Sequence, residues 1–109
     1  MKTISAEELK NLKENEDLFL VDVRTRPERL EWRLEDTLWI PMDEILGRLE
    51  EIPKDQPVYI YCRSGNRSGQ LVAHLAAQGF TNLINVAGGI IDYDQVGGTI
   101  VRGSLEDAE

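Results

Sequence analysis

A chain of 109 residues with 12 Lys and Arg against 20 Asp and Glu carries a formal net charge of -8, and such a field repels nucleic acid and anionic membrane surfaces as general partners. With 41% apolar and 29% charged residues, the composition is that of a folded domain, and the length supports one core rather than two, so residues 1–109 are expected to form one domain. The single cysteine excludes an internal disulfide, a Cys-x-x-Cys redox pair and a multi-cysteine zinc site, one histidine adds little toward a metal, and no window approaches the roughly 18 apolar residues of a membrane span, so the default expectation is a metal-free cytoplasmic protein.

In chain order, Ser5-Ala6-Glu7-Glu8 has the form of a capping box, opening a helix to about Asn15. Leu18 to Val23 is a continuous apolar run of strand length, broken only by Asp22, the pattern of a strand covered on both faces. Thr37 to Ile40 is a second such run stopped by Pro41, after which Asp43 is expected to cap a short helix with Ile45, Leu46 and Leu49 on one side. Val58 to Tyr61 has strong strand character and leads into Cys62-Arg63-Ser64-Gly65-Asn66-Arg67-Ser68-Gly69. A helix from about Arg67 to Gln78 ends at Gly79, Leu83 to Val86 reads as the last core strand, Gly88-Gly89 turns the chain into a short final element, and the acidic tail after Gly103 is expected to fray. Strands alternating with helices predict an α/β fold with a parallel sheet covered on both faces, in which ligands sit beyond the carboxyl ends of the strands. Cys62 falls at such a strand end.

A lone cysteine is commonly a small buried hydrophobe. Here its neighbours point to chemistry. Between a strand end and a helix start, a thiol faces backbone amides without helical partners and the positive end of the helix dipole, and Arg63 and Arg67 add charge, so the thiolate is favoured. Gly65 lets the loop curl, and Ser64, Asn66 and Ser68 add small polar side chains. No Asp or Glu occurs between Gln56 and Ile91, which predicts a small positive basin suited to a small anion.

The segments Asp22-Val23-Arg24, Cys62 to Ser68, Gly79-Phe80 with Asn82-Leu83, Ala87-Gly88-Gly89 and Gly97 to Gly103 are similar, in order and spacing, to the rhodanese homology domain. The resemblance covers nearly the whole chain, and the cysteine loop is its specific part. It implies a three-layer α/β/α domain around a five-stranded parallel sheet of order 3-2-4-5-1, and sulfane-sulfur transfer through a cysteine persulfide with no cofactor. Mapped onto this chain, Cys62 is the nucleophile; Arg63, Ser64, Gly65, Asn66 and Arg67 bind the substrate, their amides as an anion hole and the two arginines through their charge; and Asp22, Arg24 and Ser68 support from behind, the first two as a structural ion pair. The expected donor is a small anion, thiosulfate or a persulfide. With no second cysteine, the acceptor is an external thiol, cyanide or a thiol protein.

Where the family shows Gly-His-Ile-x-Gly-Ala, this chain reads Trp32-Arg33-Leu34-Glu35-Asp36-Thr37, which leaves the backbone path and the pocket rim open at that point. The tryptophan that follows Gly-Gly in the family is Tyr93 here. His74 lies about 10 Å along the helix from Arg67, too far to act as a base, and Trp32 and Trp39 read as core or rim aromatics. Tyr61 either lines the pocket or packs in the core. Three rival functions stand beside thiosulfate-type transfer. A related phosphatase would need Cys-x5-Arg, whereas Arg67 falls one place early; transfer from 3-mercaptopyruvate suits less basic loops; and a sulfur-carrier module would hand sulfur to one protein partner.

Overall fold

The computed structural model describes residues 1–103, so the expected fraying after Gly103 lies outside the described residues. The chain opens with strand β1 (Lys2–Ser5) and helix α1 (Ala6–Asn15), joined by the capping box: the Ser5 hydroxyl accepts from the Glu8 amide at 3.1 Å, and the Ser5 amide donates to the Glu8 carboxylate at 3.2 Å. Strand β2 (Phe19–Asp22) follows, then α2 (Arg26–Glu31), two two-residue strands β3 (Arg33–Leu34) and β4 (Leu38–Trp39), and two 3-10 turns at Ile45–Gly47 and Leu49–Glu51. Strand β5 (Val58–Tyr61), helix α3 (Asn66–Ala76), strand β6 (Leu83–Ala87), helix α4 (Gly89–Gln95) and β7 (Ile100–Val101) complete it. Gly79, at φ +101°, ends α3 through paired bonds from the Gly79 amide to Ala76 and from the Phe80 amide to Leu75.

The main sheet runs β1-β6-β5-β2-β4 and is parallel at every pairing. Numbered as five core strands from the β4 edge, this is the order 3-2-4-5-1, the topology the resemblance implies. Alternation along β5 divides the interior. Val58 and Ile60 join Val21, Leu71, Val72, Leu75 and Cys62 in one core, against α3 and the 3-10 turns. Tyr59 and Tyr61 face a second core with Leu9, Leu20, Val86, Ile90 and Tyr93, under α1 and α4. Three layers result. Among the described residues, no helix is long and apolar enough to cross a membrane.

One local expectation is corrected, and one open stretch takes a definite path. Asp43 caps no helix: it lies in a turn organised by the Pro41 carbonyl, which accepts from the amides of Glu44 at 2.9 Å and Ile45 at 3.1 Å. The expected helix is replaced by the two 3-10 turns, pinned where Arg48 reaches both Glu44 and Glu51; Ile45 is buried, but Leu46 is 58% exposed. The Trp32–Thr37 segment, whose path was open, forms β3 and pairs antiparallel with β7, Arg33 opposite Val101 and Leu34 opposite Ile100. Asp36 takes φ +56° at the position where the family pattern has its second glycine, so the turn is kept by a residue type that tolerates the left-handed region.

Candidate active site

Cys62 directly follows β5, and α3 begins at Asn66, so the residues between must reverse direction over a very short span. Gly65 makes this possible at φ +94°, and a Cβ there would lie 3.0 Å from the Gly88 amide nitrogen and 3.1 Å from the Val86 carbonyl. The start of α4 holds the loop from outside. The Ile90 and Ile91 amides donate to the carbonyls of Cys62 and Arg63 at 3.0 and 3.2 Å, and any side chain on Gly89 would strike those carbonyls. With its carbonyls bound to α4, the loop turns amides inward.

They converge on the sulfur. The Gly65 amide lies 3.2 Å from Cys62 Sγ, the Ser68 amide 3.4 Å and the Ser68 hydroxyl 3.3 Å, and the cysteine is 1% exposed. Burial pushes the thiol pKa up, but the Ser68 hydroxyl and the amides of Ser68, Gly65 and Ser64 outweigh it and hold the pKa below the ordinary value. Ser68, mapped only as a supporting residue, thus touches Sγ through both its amide and its side chain. The Ser68 hydroxyl also lies 2.6 Å from Asn85 Oδ1, while Asn85 Nδ2 donates to the Gly65 carbonyl at 3.2 Å.

Arg63, Ser64 and Asn66 are exposed around the loop, and Arg67 is half-exposed. Arg67 is not a free cation: its guanidinium binds both Glu28 oxygens, at 3.1 and 2.9 Å. Burial raises the Glu28 pKa, yet the Arg67 hydrogen bond, the hydrogen bonds from Thr25 and the Arg67 charge bring it to about 2. The acid-free stretch of sequence therefore acquires a carboxylate in space, and the positive basin is partly neutralised. Glu28 and Asn85 are the two contributors that sequence reasoning missed. The signal for Glu28 was a second capping box, Thr25-x-x-Glu28, and for Asn85 a polar residue on the Leu83 face of a buried strand.

Asp22 and Arg24 are both 0% exposed and belong to a neighbouring assembly. Asp22 accepts from the Arg24 amide, Nε and Nη2 at 2.9, 3.0 and 2.9 Å, from Arg29 at 3.1 Å and from the Tyr61 hydroxyl at 2.9 Å. Arg24 also reaches the Glu28 and Trp32 carbonyls. Tyr61 is fully buried, its hydroxyl also accepting from the Leu34 amide at 3.2 Å, which assigns it to the core. Trp39 is a rim aromatic: its indole donates to the Arg24 carbonyl at 2.9 Å, and with Val23, Thr25, Pro41, Met42 and Arg67 it lines a cleft of about 470 Å³ beside the loop. Trp32 packs against the second core, and His74 is exposed, bonded to Gln78.

A three-layer α/β/α domain with an amide-lined cysteine at the carboxyl end of a central strand is an open α/β fold whose candidate site lies where such sheets bind ligands. The rhodanese-like domain model matches residues 5–95, and the chain belongs to that family. It is 47% identical over 90 residues to a sulfurtransferase of Allochromatium vinosum, covering 83% of this chain and 84% of that one. To a putative sulfurtransferase of Bacillus subtilis it is 35% identical over 95 residues, 86% of this chain and 91% of the relative. The crystal structure of a rhodanese-like domain protein from Staphylococcus aureus superposes with a TM-score of 0.83 at 36% identity, covering 95% of this chain and all of that one.

Proposed function

We propose that the protein transfers sulfane sulfur through a persulfide on Cys62. The observation that carries the reading is the convergence of two amides and one hydroxyl on Cys62 Sγ. The Cys62 thiolate attacks the outer sulfur of thiosulfate; the new S–S bond forms as the old one breaks, and sulfite leaves with the electron pair. The terminal sulfur anion is held by the loop amides of residues 63 to 67, with Arg63 and Arg67 facing the donor's charge. An acceptor thiolate then attacks that terminal sulfur, carries it away as its own persulfide and returns Cys62 as thiolate; cyanide does the same and leaves as thiocyanate. Cys62 is the single cysteine of the 109 residues, so the acceptor comes from outside. The spacing from Cys62 to Arg67 is one residue short of the phosphatase pattern, which favours a sulfur rather than a phosphoryl group at the centre.

A second reading, relay to a specific thiol protein, is favoured by the cleft of about 470 Å³ with Trp39, Pro41 and Met42 in its wall, which offers room and apolar surface that thiosulfate does not use. Intact-mass measurement after incubation with thiosulfate, without reductant, tests the chemistry. A gain of roughly 32 Da, lost on adding cyanide and absent in Cys62→Ser, is the expected result. Absence of the gain with thiosulfate and with persulfide donors alike would overturn the proposal. Turnover with cyanide then distinguishes a small-molecule enzyme from a relay.

A further inference from the structure

The Ser68 hydroxyl has one proton and faces two acceptors. Cys62 Sγ lies 3.3 Å from it and Asn85 Oδ1 2.6 Å. The orientation of the Asn85 amide is set independently, because only its nitrogen can donate to the Gly65 carbonyl, at 3.2 Å. The oxygen end therefore faces Ser68. An amide oxygen has no proton to give, so a contact of 2.6 Å requires the serine proton to point at Asn85. Cys62 then meets a lone pair of the serine oxygen, an arrangement that suits a protonated S–H. The hydroxyl serves a thiolate only by rotating toward sulfur and giving up its shorter bond.

We propose that Asn85 is a positioning residue that sets the ionisation of the Cys62 loop by competing with the sulfur for the Ser68 proton. In the resting protein the order is Cys62 S–H to Ser68 oxygen, and Ser68 O–H to Asn85. When the sulfur becomes an anion, the serine proton swings to it and Asn85 Oδ1 is left without that donor. Asn85 is 5% exposed and Ser68 0%, so water does not readily replace the lost partner. Gly69 eases the approach, since a Cβ there would lie 3.2 Å from Asn85 Nδ2 and press the amide back by a few tenths of an ångström. The other groups around the sulfur stay constant in this exchange: the Gly65 and Ser68 amides, Arg63 in the loop, Arg67 on α3 with its partner Glu28 on α2, and the Asp22, Arg24 and Tyr61 assembly at the ends of β2 and β5. The inference rests on Cys62 being the nucleophile, and it adds that a strand residue outside the loop tunes it.

The pH dependence of Cys62 alkylation by iodoacetamide reads thiolate fraction without requiring sulfur transfer. Asn85→Leu, close in size and without an acceptor, is expected to lower the alkylation midpoint by about half to one pH unit, the range one hydrogen bond supplies. Ser68→Ala is expected to raise it. In the Ser68→Ala background, Asn85→Leu is expected to shift nothing further, because the proton it competes for is gone. A rise in Asn85→Leu, or a full shift surviving in the double variant, would mean that Asn85 acts through loop packing and would overturn the proposal. Asn85→Ala provides the same readout should leucine not fit, with far-ultraviolet dichroism confirming the fold of each variant. The alkylation pattern and the persulfide mass gain are separate measurements, so failure of one is distinguishable from failure of the other.

Discussion

Two polar clusters lie side by side at the carboxyl ends of adjacent strands, one round the Asp22 carboxylate and one round the Cys62 sulfur, for Asp22 of β2 stands in register with Tyr61 of β5, and Cys62 comes next. Asp22 accepts five hydrogen bonds of 2.9 to 3.1 Å, three from Arg24, one from Arg29 and one from Tyr61, and none of it is exposed. Around the Cys62 sulfur the contacts from the Gly65 amide, the Ser68 amide and the Ser68 hydroxyl are longer, at 3.2 to 3.4 Å, and the hydroxyl is shared with Asn85. The carboxylate is saturated and fixed by formal charges. The sulfur is held by neutral dipoles, incompletely. A saturated anion is inert because reacting would strand its donors, whereas a partly satisfied one keeps lone pairs for an incoming atom. The Asp22 assembly also braces the site, since Arg24 and Tyr61 tie β2, β5 and the β3 segment together.

Removing each group in turn separates the two roles. Cys62→Ser is expected to abolish the mass gain and any turnover, with the unfolding midpoint within the small range of a near-isosteric change; a large stability loss would mean the sulfur is structural as well. Asp22→Asn does the opposite. It leaves the buried Arg24 without its carboxylate, and the expected cost is about 3 to 5 kcal/mol in urea unfolding, as for breaking a buried pair from one side. A loss under about 1 kcal/mol would refute the reading of this assembly as the brace.

How much of this was legible beforehand follows physical scale. Long apolar runs such as Val58 to Tyr61 and the capping box at Ser5 are dictated by near neighbours, and these elements appear where the pattern places them, with ends displaced by a residue or so. The sulfur cradle was legible as a loop but not in its wiring. Glu28 comes from thirty-nine positions before Arg67, so a stretch free of acids in sequence was no guide to charge in space. Asn85 likewise reaches the loop across a strand pairing. The two-residue strands β3 and β7 are too short for any periodicity, and their pairing depends on the chain returning past the sheet. At Asp43, side-chain preference for a cap lost to backbone bonds on Pro41.

A smaller effect sharpens the contrast between the neutral cradle and its charged rim. Arg67 and Glu28 form a two-point pair with side chains 42% and 23% exposed, so solvent screening leaves it modest. An anionic donor that uses Arg67 must share the guanidinium with the Glu28 carboxylate. Glu28→Gln removes that charge yet keeps the capping box, since glutamine serves at the same helical position. The expected result is a KM for thiosulfate lower by about two- to fivefold with kcat little changed, a purely electrostatic gain of the size typical for partly exposed pairs. The acid limb supplies a second check. The folded Glu28 pKa of about 2 lies below the value of 4.5 expected for the unfolded chain, so its contribution to stability is fully present above pH 4.5 and is lost as pH falls toward 2. The glutamine variant should lack that part of the acid-induced loss and unfold over a flatter profile between those limits. Equal slopes in the two proteins, measured by thermal melts across that range, would show that Arg67 does not hold the carboxylate in solution, and the free guanidinium would then be available to the donor without competition.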